Sequence, residues 1–152
     1  NLFSQNIRSD IKNFYKDKNC VMLGVHGTSV NTRVEVDHKD GRKNDMRVSD
    51  MATQKLEDFQ PLCKAANDVK RQICKNCKAT DKRWDAKNLL GNPYSFYKGG
   101  ENYSKELGCV GCYQYDPVEY RKQSAKRIAK EASENTTEFI MKKLYGDNGE
   151  NQ

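Results

Sequence analysis

The chain has 152 residues, 36% hydrophobic and 32% charged, with a net charge of +6. That length fits one domain, or a core with a small appendage, and so low an apolar content makes a thin core that needs metal, disulfides or a partner subunit. No apolar run approaches the roughly 20 residues that span a bilayer and no signal-peptide core opens the chain, so the expectation is no membrane and a cytoplasmic setting with reduced thiols.

The chain opens on Asn1, not Met, as a piece of a longer protein would. The positive charge is clustered. Residues 64–87 hold eight Lys/Arg against three acidic residues, and 121–130 hold five against none. Clusters of this kind suit a polyanion such as nucleic acid, although a merely soluble surface is the duller reading.

In chain order, Ser4 is placed to cap a first helix ending near Lys18, with Ile7, Ile11, Phe14 and Tyr15 on its apolar stripe. The run CVMLGV, 20–25, stops at His26-Gly27. Residues 33–37 alternate as a strand with Val34 and Val36 on the buried face. Residues 39–56 read as a long loop with one helical turn. DFQPLC, 58–63, is a second short strand that Pro61 confines to an edge or an end. A helix follows from Lys64 to about Cys74, packed through Ala65, Ala66, Val69 and Ile73. Residues 78–108 are irregular and rich in tyrosine. Asp116 caps and Pro117 opens a helix to about Ser133, and Asn135 with Glu138 starts a last helix that ends at Gly146. Residues 147–152 read as frayed.

Cys74-x2-Cys77 and Cys109-x2-Cys112 are two pairs separated by 31 residues. Each short gap lets two sulfurs face one ion, and together they make a tetrahedral four-thiolate site for structural Zn²⁺, with no position open for catalysis. Cys20 and Cys63 read as small buried hydrophobes. A second zinc at Cys20, His26 and Cys63 is one ligand short, and His26 otherwise reads as a loop histidine.

VEVDHKDGRKND, 34–45, read beside DFQPLCKAANDVK, 58–70, resembles the HNH, or ββα-metal, nuclease signature. The matching elements are Asp37-His38 at a strand end, the loop Gly41 to Asn44, Leu62-Cys63, then Asn67 and Lys70 three apart on a helix. Over residues 7–122, about three quarters of the chain, with CKNCKATDKRWDAK and LGCVGCYQYDPVEYRK, the sequence resembles the small bacterial HNH restriction endonucleases of the IceA type. These are related to the CATG-cutting type II enzymes. Two departures stand out. Many family members carry zinc knuckles where this chain has Cys20/Leu23 and Cys63/Ala66, of which only the first cysteine of each remains. The central asparagine of the motif is Asp58, which puts its bracing of the loop in question.

The resemblance implies an α+β fold: a ββα-metal (HNH, His-Me finger) core with flanking helices and the four-cysteine structural zinc site. The layout is a single domain, 1–152, with an N-terminal helix at 1–19, the catalytic core at 20–77, a zinc-tied loop region at 78–116 and C-terminal helices at 117–146. It further implies Mg²⁺-dependent cleavage of double-stranded DNA at a short palindrome such as CATG, with Mn²⁺ able to substitute. The setting it implies is bacterial restriction–modification, with a separately encoded DNA methyltransferase and a homodimer that cuts both strands. Catalytic His38, neutral near pH 7, takes a proton from water, while Asp37 and Asn67 offer hard oxygen ligands to Mg²⁺. Arg42, Lys43, Gln60, Lys70 and Arg71 are the DNA-contact candidates, with Arg83, Lys122 and Lys126 as further phosphate contacts. The rival readings are a zinc-containing nucleic-acid-binding module without activity and an HNH nicking or homing endonuclease.

Overall fold

A computed structural model of the chain describes residues 6–146. The expected Ser4 cap and the frayed 147–152 tail lie outside the described residues. The described part is α+β: one two-stranded sheet surrounded by helices and a long irregular segment.

Helix α1, Ser9–Tyr15, buries Ile11 and ends three residues earlier than its sequence pattern suggests. Asp10 in its first turn complements the helix dipole and pairs with Arg8 at 2.6 Å. CVMLGV folds as a tight turn: the Gly24 N–H donates to the Cys20 carbonyl at 2.7 Å, and the Cys20 N–H to the Val25 carbonyl at 2.8 Å.

Strands β1, Val34–His38, and β2, Phe59–Cys63, pair antiparallel from Val34 opposite Cys63 to His38 opposite Phe59. Pro61 sits in mid-strand, which a two-stranded sheet tolerates because each strand has an open edge. The Pro61 carbonyl accepts from the Val21 N–H at 3.0 Å, which docks the 20–25 turn on that edge. The connection between the strands holds the short helix α2, Met46–Ser49, and 3₁₀ turns at Met51–Thr53 and Leu56–Asp58. Asp45 and Asp50 cap α2 and the first of these turns with their carboxylates.

Helix α3, Lys64–Thr80, leaves β2 without a loop and runs six residues past the expected end at Cys74. It stops at Asp81, whose left-handed backbone (φ 52°) turns its N–H onto the Cys77 carbonyl. Cys74 and Cys77 therefore lie one turn apart on a helix, not in the turn that follows one.

The expected packing faces need correcting as well. In β1 the buried residue is Asp37, with Val34 and Val36 only partly covered. In α3 the buried positions are Ala66, Asn67, Lys70 and Cys77, while Val69 is 59% exposed. A polar ladder between strand and helix decides both faces.

Residues 81–116 are irregular, with one 3₁₀ turn at Ala86–Asn88, whereas residues 78–80 of the expected irregular span 78–108 belong to α3. Gly111 is indispensable here: at φ 101° a Cβ would lie 1.9 Å from the Lys98 carbonyl oxygen. The two expected C-terminal helices are one, α4, Pro117–Tyr145. Asp116 caps it by accepting the Glu119 N–H at 2.9 Å. Nothing between 125 and 145 is Gly or Pro, so the ladder continues through Asn135; Thr136 and Thr137 donate back to the Ala132 and Ser133 carbonyls.

Among the described residues the core is thin, as composition requires, and divides into three small clusters. They are Cys20, Leu62, Cys63 and Ala66; Ile11, Val48 and Phe59; and Ala86, Tyr113 and Tyr120. Among the described residues no helix is long and apolar enough to cross a membrane.

Candidate active site

Alternate residues of a strand share a face, and residues three apart on a helix are neighbours. Glu35 and Asp37 of β1 thus meet Asn67 and Lys70 of α3. Asn67 Nδ2 donates to Glu35 Oε2 at 2.7 Å, and Lys70 Nζ binds Asp37 Oδ2 at 2.5 Å. Lys70 also donates to the His38 and Lys39 carbonyls at 3.1 and 3.0 Å, so one ammonium closes the end of β1. Gln60, opposite Asp37 in the sheet, donates to the same Oδ2 at 2.9 Å and to the Gln114 carbonyl at 3.4 Å.

A cavity of about 70 Å³ opens over this ladder, lined by Asp37, His38, Asn67, Lys43 and Arg71 among others. The three residues expected to carry the chemistry therefore share one recess. Lys43 and Arg71 give it a basic rim. His38 is half-buried with its ring centroid 5.6 Å from that of Phe59. Burial pushes its pKa below the ordinary histidine value, against the opposing pull of Asp40 and Asp37, so the imidazole is neutral at pH 7.

Two oxygens bear on what the recess could hold. Asn67 is 2% exposed, and its Oδ1 is buried without a hydrogen-bond partner among the described residues. The Lys70 and Gln60 contacts to the Asp37 carboxylate both fall on Oδ2, so neither engages Oδ1. An orphaned hard oxygen beside a carboxylate is the donor set that Mg²⁺ takes, so the residues present fit that ion.

The loop after β1 is held from three sides. Asp40 accepts the Arg42 and Asn44 N–H groups, each at 3.0 Å. Arg42 stacks 3.6 Å above the Tyr103 ring and pairs with Asp81 at 2.8 Å, while Asn44 donates to the Tyr103 hydroxyl. Gly41 presses on α3 so closely that a Cβ would stand 2.1 Å from Cys74 Sγ. The Asp58 carboxylate holds Arg47 and the Lys55 N–H, while its backbone carbonyl accepts the Lys39 N–H at 2.9 Å.

Several DNA-contact candidates occupy other roles in this structure. Lys70 is 2% exposed and bound to Asp37, Gln60 is 3% exposed and bound to the same carboxylate, and Arg42 is stacked on Tyr103. Arg83 is buried, donating to the Lys98 and Val110 carbonyls. Arg71 remains exposed and Lys43 partly so. Sequence reasoning missed Glu35 and Asp40. The signal for Glu35 was its place two residues before Asp37, on the same strand face.

The four paired cysteines line a second, smaller cavity of about 20 Å³, next to the first through Gly41 and Cys74. Cys109 Sγ donates to Asp40 Oδ1 at 3.2 Å, which links the second pair to the loop after His38. Burial pushes the Cys74 thiol up to about 12 and raises Cys109 and Cys112 as well. Among the described residues no three His, Cys, Asp or Glu side chains form a group that could hold an ion as they stand. Four soft donors around one small recess nevertheless match the donor chemistry of zinc. Cys20 and Cys63 are buried together in the first core cluster, while His26 directs Nδ1 to the Lys18 carbonyl at 2.9 Å.

The site thus joins an Asp-His strand end to a helical asparagine in an α+β chain, and the family follows from the whole sequence. The family model described as ICEA Protein matches residues 1–145, and the chain belongs to that family. Among curated proteins it is similar to one named "Type II restriction enzyme NlaIII" from Neisseria lactamica, 73% identical over 148 residues. That match takes in 97% of this chain but 64% of the relative, so the chain spans about 64% of the length of the curated relative it matches. No solved structure matches.

Proposed function

We propose that the chain carries the catalytic centre of a type II restriction endonuclease of the HNH, ββα-metal kind. It would hydrolyse phosphodiester bonds of double-stranded DNA with Mg²⁺, or Mn²⁺ in its place, at a short palindrome such as CATG. The observation that carries this reading is the shared recess of Asp37, His38 and Asn67, the last with its Oδ1 buried and unpartnered among the described residues. Family membership and the name of the relative support the reaction class.

Asp37 and Asn67 are the residues that would hold the magnesium ion. When bound, it would neutralise charge on the scissile phosphate and on the departing 3′ oxygen. His38, neutral because it is half-buried, takes a proton from a water molecule, whose oxygen bonds to phosphorus as the bond to the 3′ oxygen breaks. Lys70 fixes the backbone carbonyls of His38 and Lys39, and Phe59 limits the swing of the imidazole. Lys43 and Arg71 at the rim are the groups to meet flanking phosphates. Two such centres in a homodimer would cut both strands of a symmetric site, and a separately encoded methyltransferase would protect host DNA.

The test is purified protein with plasmid and Mg²⁺, against a chelator control, followed by sequencing of the ends. Discrete fragments with a common terminal sequence are expected. Shifted but intact DNA would favour a zinc-bearing binding module, and nicked circles alone a nicking enzyme.

A further inference from the structure

Two hydrogen bonds on one side of β1 differ in what they leave behind. Lys70 can meet Asp37 in any rotation of its ammonium, whereas Asn67 has two unlike ends. Its amide offers donors at Nδ2 and an acceptor at Oδ1, and which end faces the recess depends on what the other end meets. Here the other end meets Glu35 Oε2 at 2.7 Å, a distance at which two acceptor oxygens would repel. A carboxylate that accepts only therefore forces Nδ2 toward β1 and Oδ1 away from it. That Oδ1 is the atom left buried and unpartnered, in a residue lining the recess. Leaving such an atom unsatisfied costs about 1–3 kcal/mol, so the arrangement persists only if something else requires it.

We propose that Glu35 is a positioning residue, whose carboxylate orients the Asn67 amide so that its oxygen faces the recess. This inference rests on the reading of that recess as a divalent-cation site. The placement follows from the fold: Glu35 stands two residues before Asp37 and so shares its face of β1, while α3 brings Asn67 over it one helical turn from Lys70. Partners of this type, which touch a ligand-bearing side chain without touching the ion, alter metal affinity by roughly 10–100-fold when removed.

The experiment is a double-mutant cycle in the full chain. Glu35→Ala should raise the concentration of Mn²⁺ giving half-saturation, measured calorimetrically, by roughly 10-fold or more, and the Mg²⁺ dependence of plasmid cleavage should move with it. Glu35→Gln keeps an acceptor for Asn67 Nδ2 but adds a donor that can meet Oδ1, so it should lose affinity by less than Glu35→Ala does. In an Asn67→Ala background, where there is no amide to orient, adding Glu35→Ala should change Mn²⁺ affinity by less than about 2-fold. An equal loss in both backgrounds would overturn the proposal and leave Glu35 a direct ligand or a general negative charge. The side-chain NH₂ resonances of Asn67 in the metal-free protein give a readout that needs no ion. They should shift on Glu35→Ala. A parent that neither binds Mn²⁺ nor cuts DNA removes the nuclease reading, and unmoved Asn67 resonances remove the orienting role.

Discussion

At the scale of single residues, the least expected feature is a fully buried lysine beside the proposed metal ligand. Lys70 makes three hydrogen bonds, to Asp37 Oδ2 and to two carbonyls, so its desolvation is offset by complete pairing. Lys70→Met should therefore cost about 3–5 kcal/mol, because it strands the Asp37 carboxylate and two strand-end carbonyls. Denaturant unfolding measures this, and an unchanged midpoint would show that the pair carries no such load. His38 makes a contrasting case. It lies half-buried at the edge of the recess, so His38→Ala should keep the folded state and DNA affinity while cleavage falls roughly 10²–10⁴-fold. Parallel gel-shift and cleavage assays separate these effects, and full activity in the variant would remove the base assignment.

At the scale of elements, α3 and α4 each depart from an amphipathic pattern, for opposite reasons. In α3 the buried positions include Asn67 and Lys70 because β1 offers Glu35 and Asp37 as partners, and the apolar Val69 is left in solvent. A hydrophobic stripe drawn along α3 points about one residue away from the face the fold uses. In α4 the last buried residue is Ser124, and from Ala125 to Tyr145 every position is exposed. Tyr94 and Arg127 with Glu131 form the outermost links to the body of the molecule. A chain ended after Ala132 should then melt within about 3 °C of the parent, since almost no buried area is removed. Calorimetry checks this, and a fall of about 10 °C would mean that the distal helix supports the fold through contacts with another copy.

At the scale of the whole molecule, three clusters of a few residues each must hold together a chain in which residues 81–116 have little regular structure. The two cysteine pairs join α3 to the far end of that segment and, through Cys109 and Asp40, to the loop after His38. A zinc ion there would tie all three. Cys109→Ser should abolish one equivalent of bound zinc and lower the melting temperature by roughly 10 °C, about 3 kcal/mol for a domain of this size. Metal analysis with thermal melting is the measurement, and unchanged zinc and melting would dismiss the staple.

Much of this was legible in the linear chain because it is written in local chemistry. The strands flank a charged loop, Pro117 follows a capping Asp116, and the Asp37-His38 pair, Asn67 and Lys70 line one recess. The sequence by itself also determined the thinness of the core, since composition bounds how much apolar surface there is to bury. Only the tertiary structure decided which faces turn inward. Whether Val69 or Lys70 is buried depends on what lies across from α3, and Glu35 and Asp37 reach that position through a sheet whose strands are distant in the chain. Likewise Asn135 can cap a helix or ride inside one, and the choice fell to a backbone ladder that nothing nearby interrupts. Periodicity reports a residue's affinity for water; partners across space determine whether a buried charge is neutralised, and that larger energy sets the packing.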